Sequence, residues 1–171
     1  MIRKACPSDM RELLDVVREG RARIRALGID QWTNGYPGEV NFQGDMERGE
    51  CWVSVDAQGK VDGVMTVMLT PDESYAEIDG KWLVDRQLYG SVHRMAVADR
   101  ASGKGVSAEM MRFAEQLSVD AGAKSIRVDT HLGNKAMNRF LQKNGFSYCG
   151  IVRVISTEIG DNRRNAYEKI L

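Results

Sequence analysis

The chain has 171 residues, 43% apolar and 28% charged, and its 24 lysines and arginines balance its 24 aspartates and glutamates. That length suits one domain, residues 1–171, with a sizeable core, and the zero net charge excludes a broad basic footprint for nucleic acid or a polybasic membrane tether. Cys6, Cys51 and Cys149 are widely spaced with no CxxC pair, so neither a disulfide framework nor a metal site is expected.

No stretch approaches ~18 consecutive apolar residues, and no apolar run follows the basic residues near the N-terminus. A cytoplasmic location is the default expectation. Residues 2–5 form a short candidate strand ended by Pro7. Ser8 or Asp9 can cap the helix that follows, with Glu12 in capping-box spacing from Asp9. Met10, Leu13, Leu14 and Val17, continued by Ile24 and Leu27, trace a helical stripe that Gly28 stops. Residues 31–49 carry Trp32, a Tyr36-Pro37-Gly38 turn signal and a short helix before Gly49. Residues 51–55 and 61–69 read as a hairpin around Ala57-Gln58-Gly59-Lys60.

A looser segment, residues 70–86, leads to an apolar strand at about residues 88–98. Val106, Met110, Phe113, Ala114 and Leu117 then trace one face of a helix ending near Gly122, and residues 125–129 are a short strand. Asn134 can cap the next helix, whose buried stripe is Met137, Phe140 and Leu141 and whose stop is Gly145. Residues 146–157 and 163–171 close the chain as a hairpin around Gly160-Asp161-Asn162. This order predicts an α/β sheet of mixed connectivity, with a parallel pair around the helix that starts at Val106. The loop before that helix falls at the carboxyl end of its strand, where open sheets bind ligands.

That loop reads Arg100-Ala101-Ser102-Gly103-Lys104-Gly105. Glycines let main-chain N–H groups approach a ligand closely, and a helix start leaves such groups without partners and adds partial positive charge. Gly103, Lys104, Gly105, Val106 and Ser107 thus form an anion cradle, reinforced by Arg100 and Lys104. A tight loop with no ligand is the alternative reading. A Walker loop fails, because Gly105 rather than Ser or Thr follows the lysine. The dinucleotide fingerprint is met literally by Gly103, Gly105 and Ala108, with Asp129 as the ribose acid. Residues 98–102 separate the first glycine, Gly103, from its strand, however, and antiparallel hairpins flank a single βαβ unit, so an oxidoreductase ranks last.

The stretch from Val92 to Gly150 resembles the GNAT superfamily of N-acetyltransferases. Its signature, Arg or Gln followed by xxGxGly/Ala, is matched by residues 100–105, and Lys143-Asn144-Gly145-Phe146 looks like the family's "K-x-GF" ending. The resemblance implies a mostly antiparallel, mixed sheet of about seven strands, splayed between the fourth and fifth and flanked by about four helices. It implies acetyl-coenzyme A as cofactor, with its pyrophosphate on Gly103–Ser107, its arm along the main chain of Met95, Ala96 and Val97, and Asn134 touching it from the following helix. The implied reaction is direct acetyl transfer to a small-molecule or peptide amine. A coenzyme-binding sensor without catalysis is the alternative, and exposed strand edges make a homodimer an expectation.

Transfer to an amine needs a proton acceptor, because alkylamines are protonated at neutral pH. Alternation puts residues 91, 93, 95 and 97 on one strand face, so His93 is the first candidate base, with a packing role as its alternative; histidine suits proton exchange near neutrality. His131 is the second. Many family members carry a tyrosine as general acid where this chain has Leu141, which cannot donate a proton. Tyr148 is then the candidate acid, ahead of Tyr89 and Cys149. Trp32 and Tyr36 fall where the family's variable region shapes the acceptor pocket, and they either line it or join the core.

Overall fold

The computed structural model describes residues 1–155 and 161–171. In chain order these form β1 (Ile2–Lys4), α1 (Met10–Ala26), α2 (Glu39–Glu47), β2 (Cys51–Val55), β3 (Val61–Met68), β4 (Asp79–Gly80), β5 (Tyr89–Val97), α3 (Val106–Asp120), β6 (Ser125–His131), α4 (Lys135–Lys143), β7 (Ser147–Arg153) and β8 (Arg163–Ile170). One sheet runs in the order β1-β2-β3-β5-β6-β8-β7-β4. Its strands are antiparallel except β5 and β6, which run parallel around α3. The eighth strand, absent from the expected seven, is the two-residue β4. It pairs Asp79 with Ile151 and Gly80 with Gly150, at the edge of β7.

The parallel pair is short. Tyr89, Gly90 and Ser91 pair with Ser125, Ile126 and Arg127, and no pairing joins the strands beyond that point. β5 continues to Val97 and β6 to His131, so their carboxyl halves part and open a gap through the sheet. Gly90 sets how closely α3 crosses this region, since a Cβ there would collide with Ser118 Oγ.

Period-two alternation sends apolar side chains to both faces, so the sheet carries two main cores. On one face α1 and α2 bury Leu13, Val17 and Phe42 against Val53, Val64 and Ala96. On the other, α3 and α4 bury Met110, Met111 and Leu141 against Met65, Val92, Ile126 and Val128. Each fully buried Leu or Phe contributes about 1.5–3 kcal/mol. A third cluster, beside the first face, holds Tyr75, Val152 and Ala166 under Ile78, Trp82 and Tyr89.

That third cluster shows what the looser segment, residues 70–86, does. It makes a 3-10 turn at Glu73–Tyr75, adds β4, and straps the sheet. Glu168 on β8 is fully buried and fastens the strap: it accepts from the Leu83 and Val84 N–H groups at 2.5 and 3.2 Å, and pairs with Arg127 at 2.9 Å. The Arg127 guanidinium lies between the Trp82 and Tyr89 rings, 4.1 and 3.9 Å from their centroids.

Two local expectations change. The Asp9–Glu12 capping box does not form. Asp9 instead accepts from the Cys6 N–H at 2.9 Å and pairs with Arg3, while Glu12 accepts from the Val61 N–H at 2.8 Å. The strands of the last hairpin are present, but its Gly160 turn lies partly outside the described residues.

Candidate active site

The alternation expected for β5 is interrupted. Val64 pairs with Ala96 and Thr66 with His93, so one residue of β3 opposes two of β5, Arg94 and Met95. This is a β-bulge, and Arg94 takes a left-handed φ of 53° to make it. The extra residue reverses the phase. Ser91, His93 and Ala96 face one way, whereas Val92, Met95 and Val97 face α3, so the expected common face of 91, 93, 95 and 97 is corrected.

Arg94 is held in place by buried charge. Its guanidinium reaches Asp45 at 3.0 Å and lies 5.5 Å from the Tyr36 ring centroid. Asp45, 1% exposed, also accepts from Thr66 Oγ1 at 2.6 Å and Arg48 at 2.5 Å. A left-handed non-glycine residue costs on the order of 1–3 kcal/mol, and such conformers persist where surrounding contacts over-determine them.

A cleft of about 840 Å³ runs through the gap between β5 and β6 and opens on both faces of the sheet. On the α3 side its walls include Met95, Val97, Ser102, Gly103, Ser107 and Asn134. Gly103 and Gly105 have φ of 75° and 84°, and nothing lies within 4 Å of where a Cβ would sit on either. Lys104 spends its N–H on Ala101 O at 3.2 Å, but among the described residues Gly103, Gly105, Val106 and Ser107 donate to no main-chain oxygen. These N–H groups stand at the positive end of the 15-residue α3. Asn134 Oδ1 caps α4 by accepting from the Met137 N–H at 3.2 Å, and its Nδ2 donates to Gln31 at 3.4 Å.

Not every residue of the expected cradle faces the cleft. Arg100 donates to Val61 O at 2.6 Å and approaches Asp56 at 3.5 Å, which turns its guanidinium toward the β2–β3 hairpin. The residues bordering the cleft do not include Lys104, Gly105 or Val106; the Lys104 side chain is exposed.

On the opposite face the cleft ends among His93, Asp72, Asp129, Trp32 and Tyr36. His93 Nε2 is 3.0 Å from Asp72 Oδ2 and 3.2 Å from Ser91 Oγ. An ionised carboxylate only accepts, so Nε2 carries the hydrogen and Nδ1 is the basic nitrogen. Asp72 is itself fixed, its N–H donating to the Tyr89 hydroxyl at 3.0 Å and its Oδ1 accepting from the Ser74 N–H at 2.8 Å. Burial acts to raise the Asp72 carboxyl, but the bonds and charge from His93, with the Ser74 bond, outweigh it and hold the group below its ordinary value.

Asp129 and Tyr75 complete this end. The Tyr75 hydroxyl donates to Asp129 Oδ2 at 2.8 Å, and the Tyr75 ring lies 5.8 Å from that of His93. Burial raises the Asp129 carboxyl above its usual range against the neighbouring His93, Tyr75 and Arg164, and burial likewise pushes the Tyr75 phenol well up. By alternation along β6, Asp129 faces away from the glycine loop, which is not where a ribose acid for that loop would stand.

The remaining candidates lie elsewhere. Tyr148 is half-exposed, packs edge-on against Tyr167 and does not line the cleft. Leu141 is fully buried in the α3–α4 core, and Phe140 borders the cleft instead. His131 Nδ1 accepts from the Gly133 N–H at 3.0 Å, a turn contact outside the cleft. Burial pushes the Cys51 thiol up to about 12, which makes it inert near neutral pH.

The model of the acetyltransferase (GNAT) family matches residues 14–146 of this chain. The chain belongs to the GNAT family of acetyltransferases. A GNAT-family acetyltransferase crystal structure from Streptococcus agalactiae 2603 is 32% identical, with 100% of this chain and 95% of that one covered and a TM-score of 0.85. The uncharacterized N-acetyltransferase YesJ of Bacillus subtilis is 25% identical over 85% of this chain and 82% of its own. The paia N-acetyltransferase of Thermoplasma acidophilum, crystallised in complex with coenzyme A, shares the fold at 17% identity, with 100% and 98% covered and a TM-score of 0.74. Within this GNAT chain the helix flanks and the splayed sheet are those of the family, while the strap carrying Asp72 and Tyr75 supplies residues that its motifs do not mark.

Proposed function

We propose that this chain is an acetyl-coenzyme A-dependent N-acetyltransferase that moves the acetyl group directly to an amine in a ternary complex. Acetyl-coenzyme A would supply an activated thioester. The open glycine cradle fits its pyrophosphate, with the Gly103 and Ser107 N–H groups at the cleft and the unpaired Gly105 and Val106 N–H groups just outside it as donors, and Met95–Val97 fit its arm. The observation that carries the reading is the His93–Asp72 pair at the gap, reached from the face opposite the cradle.

On this reading the two reactants approach from opposite faces and meet in the gap. The acceptor arrives as an ammonium ion and gives one proton to His93 Nδ1. Forming the new C–N bond would break the thioester's C–S bond and release a second proton from the nitrogen, which would pass to bulk water through the open cleft. A departing thiolate would need no dedicated acid from this chain, because thiols are already fairly acidic. This suits a chain with Leu141 where a tyrosine would stand and with Tyr148 off the cleft. Asp72 keeps the imidazole oriented and stabilises its charged form.

The test combines thermal unfolding with thiol release. Acetyl-coenzyme A at a hundredfold excess over Kd stabilises a folded protein by about 2.7 kcal/mol; that shift is expected with acetyl-coenzyme A and coenzyme A, not with NAD or NADP. His93→Gln should keep the shift and lower kcat by roughly 10²–10⁴. No stabilisation by either coenzyme A species sinks the reading. Stabilisation without thiol release across a broad amine panel assigns the chain to cofactor sensing instead.

A further inference from the structure

Ser91 and Arg127 are the last partners across β5 and β6. His93 and Asp129 each lie two residues beyond them, on the same face, so they stand opposite each other across the mouth of the gap. Tyr75 spans the two, with its hydroxyl on Asp129 and its ring beside His93. The nitrogen of an acceptor reaching the gap from this face must pass between them.

We infer that Asp129 is the anchor for the acceptor's ammonium group and that the site selects amines with no carboxylate beside the reactive nitrogen. The inference rests on the acetyl-transfer reading and adds the substrate class.

The charge around the mouth supports it. Asp72 and Asp129 flank His93, and Glu73 stands at the rim. The guanidiniums of the cleft are engaged with the protein. Arg94 is paired with Asp45, Arg23 bonds Asp99 and Val97 O, and Arg164, 3% exposed, donates to the Asp161 and Arg163 carbonyls. An α-carboxylate would therefore meet two carboxylates, with no guanidinium turned toward it as a fork. An ammonium meets the opposite field, and Asp129, half-buried beside His93 and Arg164, gains a further partner. Among the described residues only Tyr75 donates to Asp129, through Oδ2, which leaves Oδ1 to accept from the substrate. Trp32 and Tyr36 offer aromatic walls to the carbon body of such an amine.

Matched pairs that differ only in the carboxylate beside the single reactive amine test this: tryptamine against tryptophan, agmatine against arginine, tyramine against tyrosine, histamine against histidine. Thiol release with the full chain should favour the decarboxylated member of the pairs it accepts, by at least about tenfold in kcat/KM. Asp129→Asn keeps the shape and can still accept from Tyr75. It should raise the amine KM about ten- to a hundredfold, the worth of a hydrogen bond to a charged group, with the acetyl-coenzyme A KM unmoved. A purely structural Asp129 would move both constants or neither. Preference for the amino acids, equal use of both members, or inertness toward all eight while acetyl-coenzyme A still stabilises the protein overturns the inference and spares the cofactor reading. Loss of that stabilisation overturns the reading itself. If Asp129→Asn does not fold, the wild-type ratios still decide.

Discussion

On the proposed reading, Asp72 is the residue that orients His93 as the base. Its carboxylate sits 3.0 Å from Nε2 and is itself held by Tyr89 and Ser74. Asp72→Asn should cut kcat about ten- to a hundredfold, since a hydrogen bond to a charged group is worth about 1.5–3 kcal/mol. Acetyl-coenzyme A should stabilise the variant as it does the wild type. An unchanged kcat would show that His93 orients itself. The place of His93 at the cleft was legible from its position on the strand before the glycine cradle, although the bulge takes Met95 and Val97 off the face that reading shared among them. Asp72, Tyr75 and Arg94 were not, because nothing local ties them to it: the first two lie on a segment without periodicity, and Arg94 acquires its role only through a bulge that two-residue alternation cannot reveal. Trp32 and Tyr36, left between core and pocket, border the cleft, and Trp32 is also largely buried against the α1 core.

At the scale of elements, helices and hairpins were readable where the pattern was local. The stripes of α1, α3 and α4, the β2–β3 turn and the Asn134 cap all follow from residues close in sequence. The entry to α1 was misread because Asp9 has a stronger partner across the turn. Two bonds from Arg3, at 2.7 and 2.8 Å, and one from the Cys6 N–H draw the carboxylate away from the capping position. Chiefly through the Arg3 bond, the Asp9 carboxyl falls to about 2. A lowered folded-state value means that its stabilisation is present above the unfolded value near 4 and is lost as pH falls toward 2. For this largely buried group that is roughly 2 kcal/mol. Urea unfolding should therefore show Asp9→Asn less stable than wild type at pH 7 by about that amount, with the difference closing as the pH approaches 2. A gap constant down to that pH would contradict the pairing.

The molecule as a whole is a sheet with two working faces joined by a gap, and the strap of residues 70–86 fixes one side of it. The strap is fastened at the end opposite Asp72 and Tyr75, through Leu83 and Val84. Glu168 lies under it, fully buried, bound to Ser125, Arg127 and two strap N–H groups. Removing one member of a buried charge pair leaves the other uncompensated and costs about 3–5 kcal/mol. Glu168→Gln should thus lower Tm by roughly ten degrees for a chain of this size. Because Asp72 and Tyr75 ride on the same strap, the loss should also reach catalysis: lower kcat and weaker amine saturation, measured well below the variant's Tm. The cradle belongs to α3 on the other face, so acetyl-coenzyme A should stabilise the variant as much as wild type. A variant that loses stability but keeps full kcat and amine KM would show that the strap's two ends are independent. One that loses cofactor stabilisation would show instead that the two faces are coupled through the sheet.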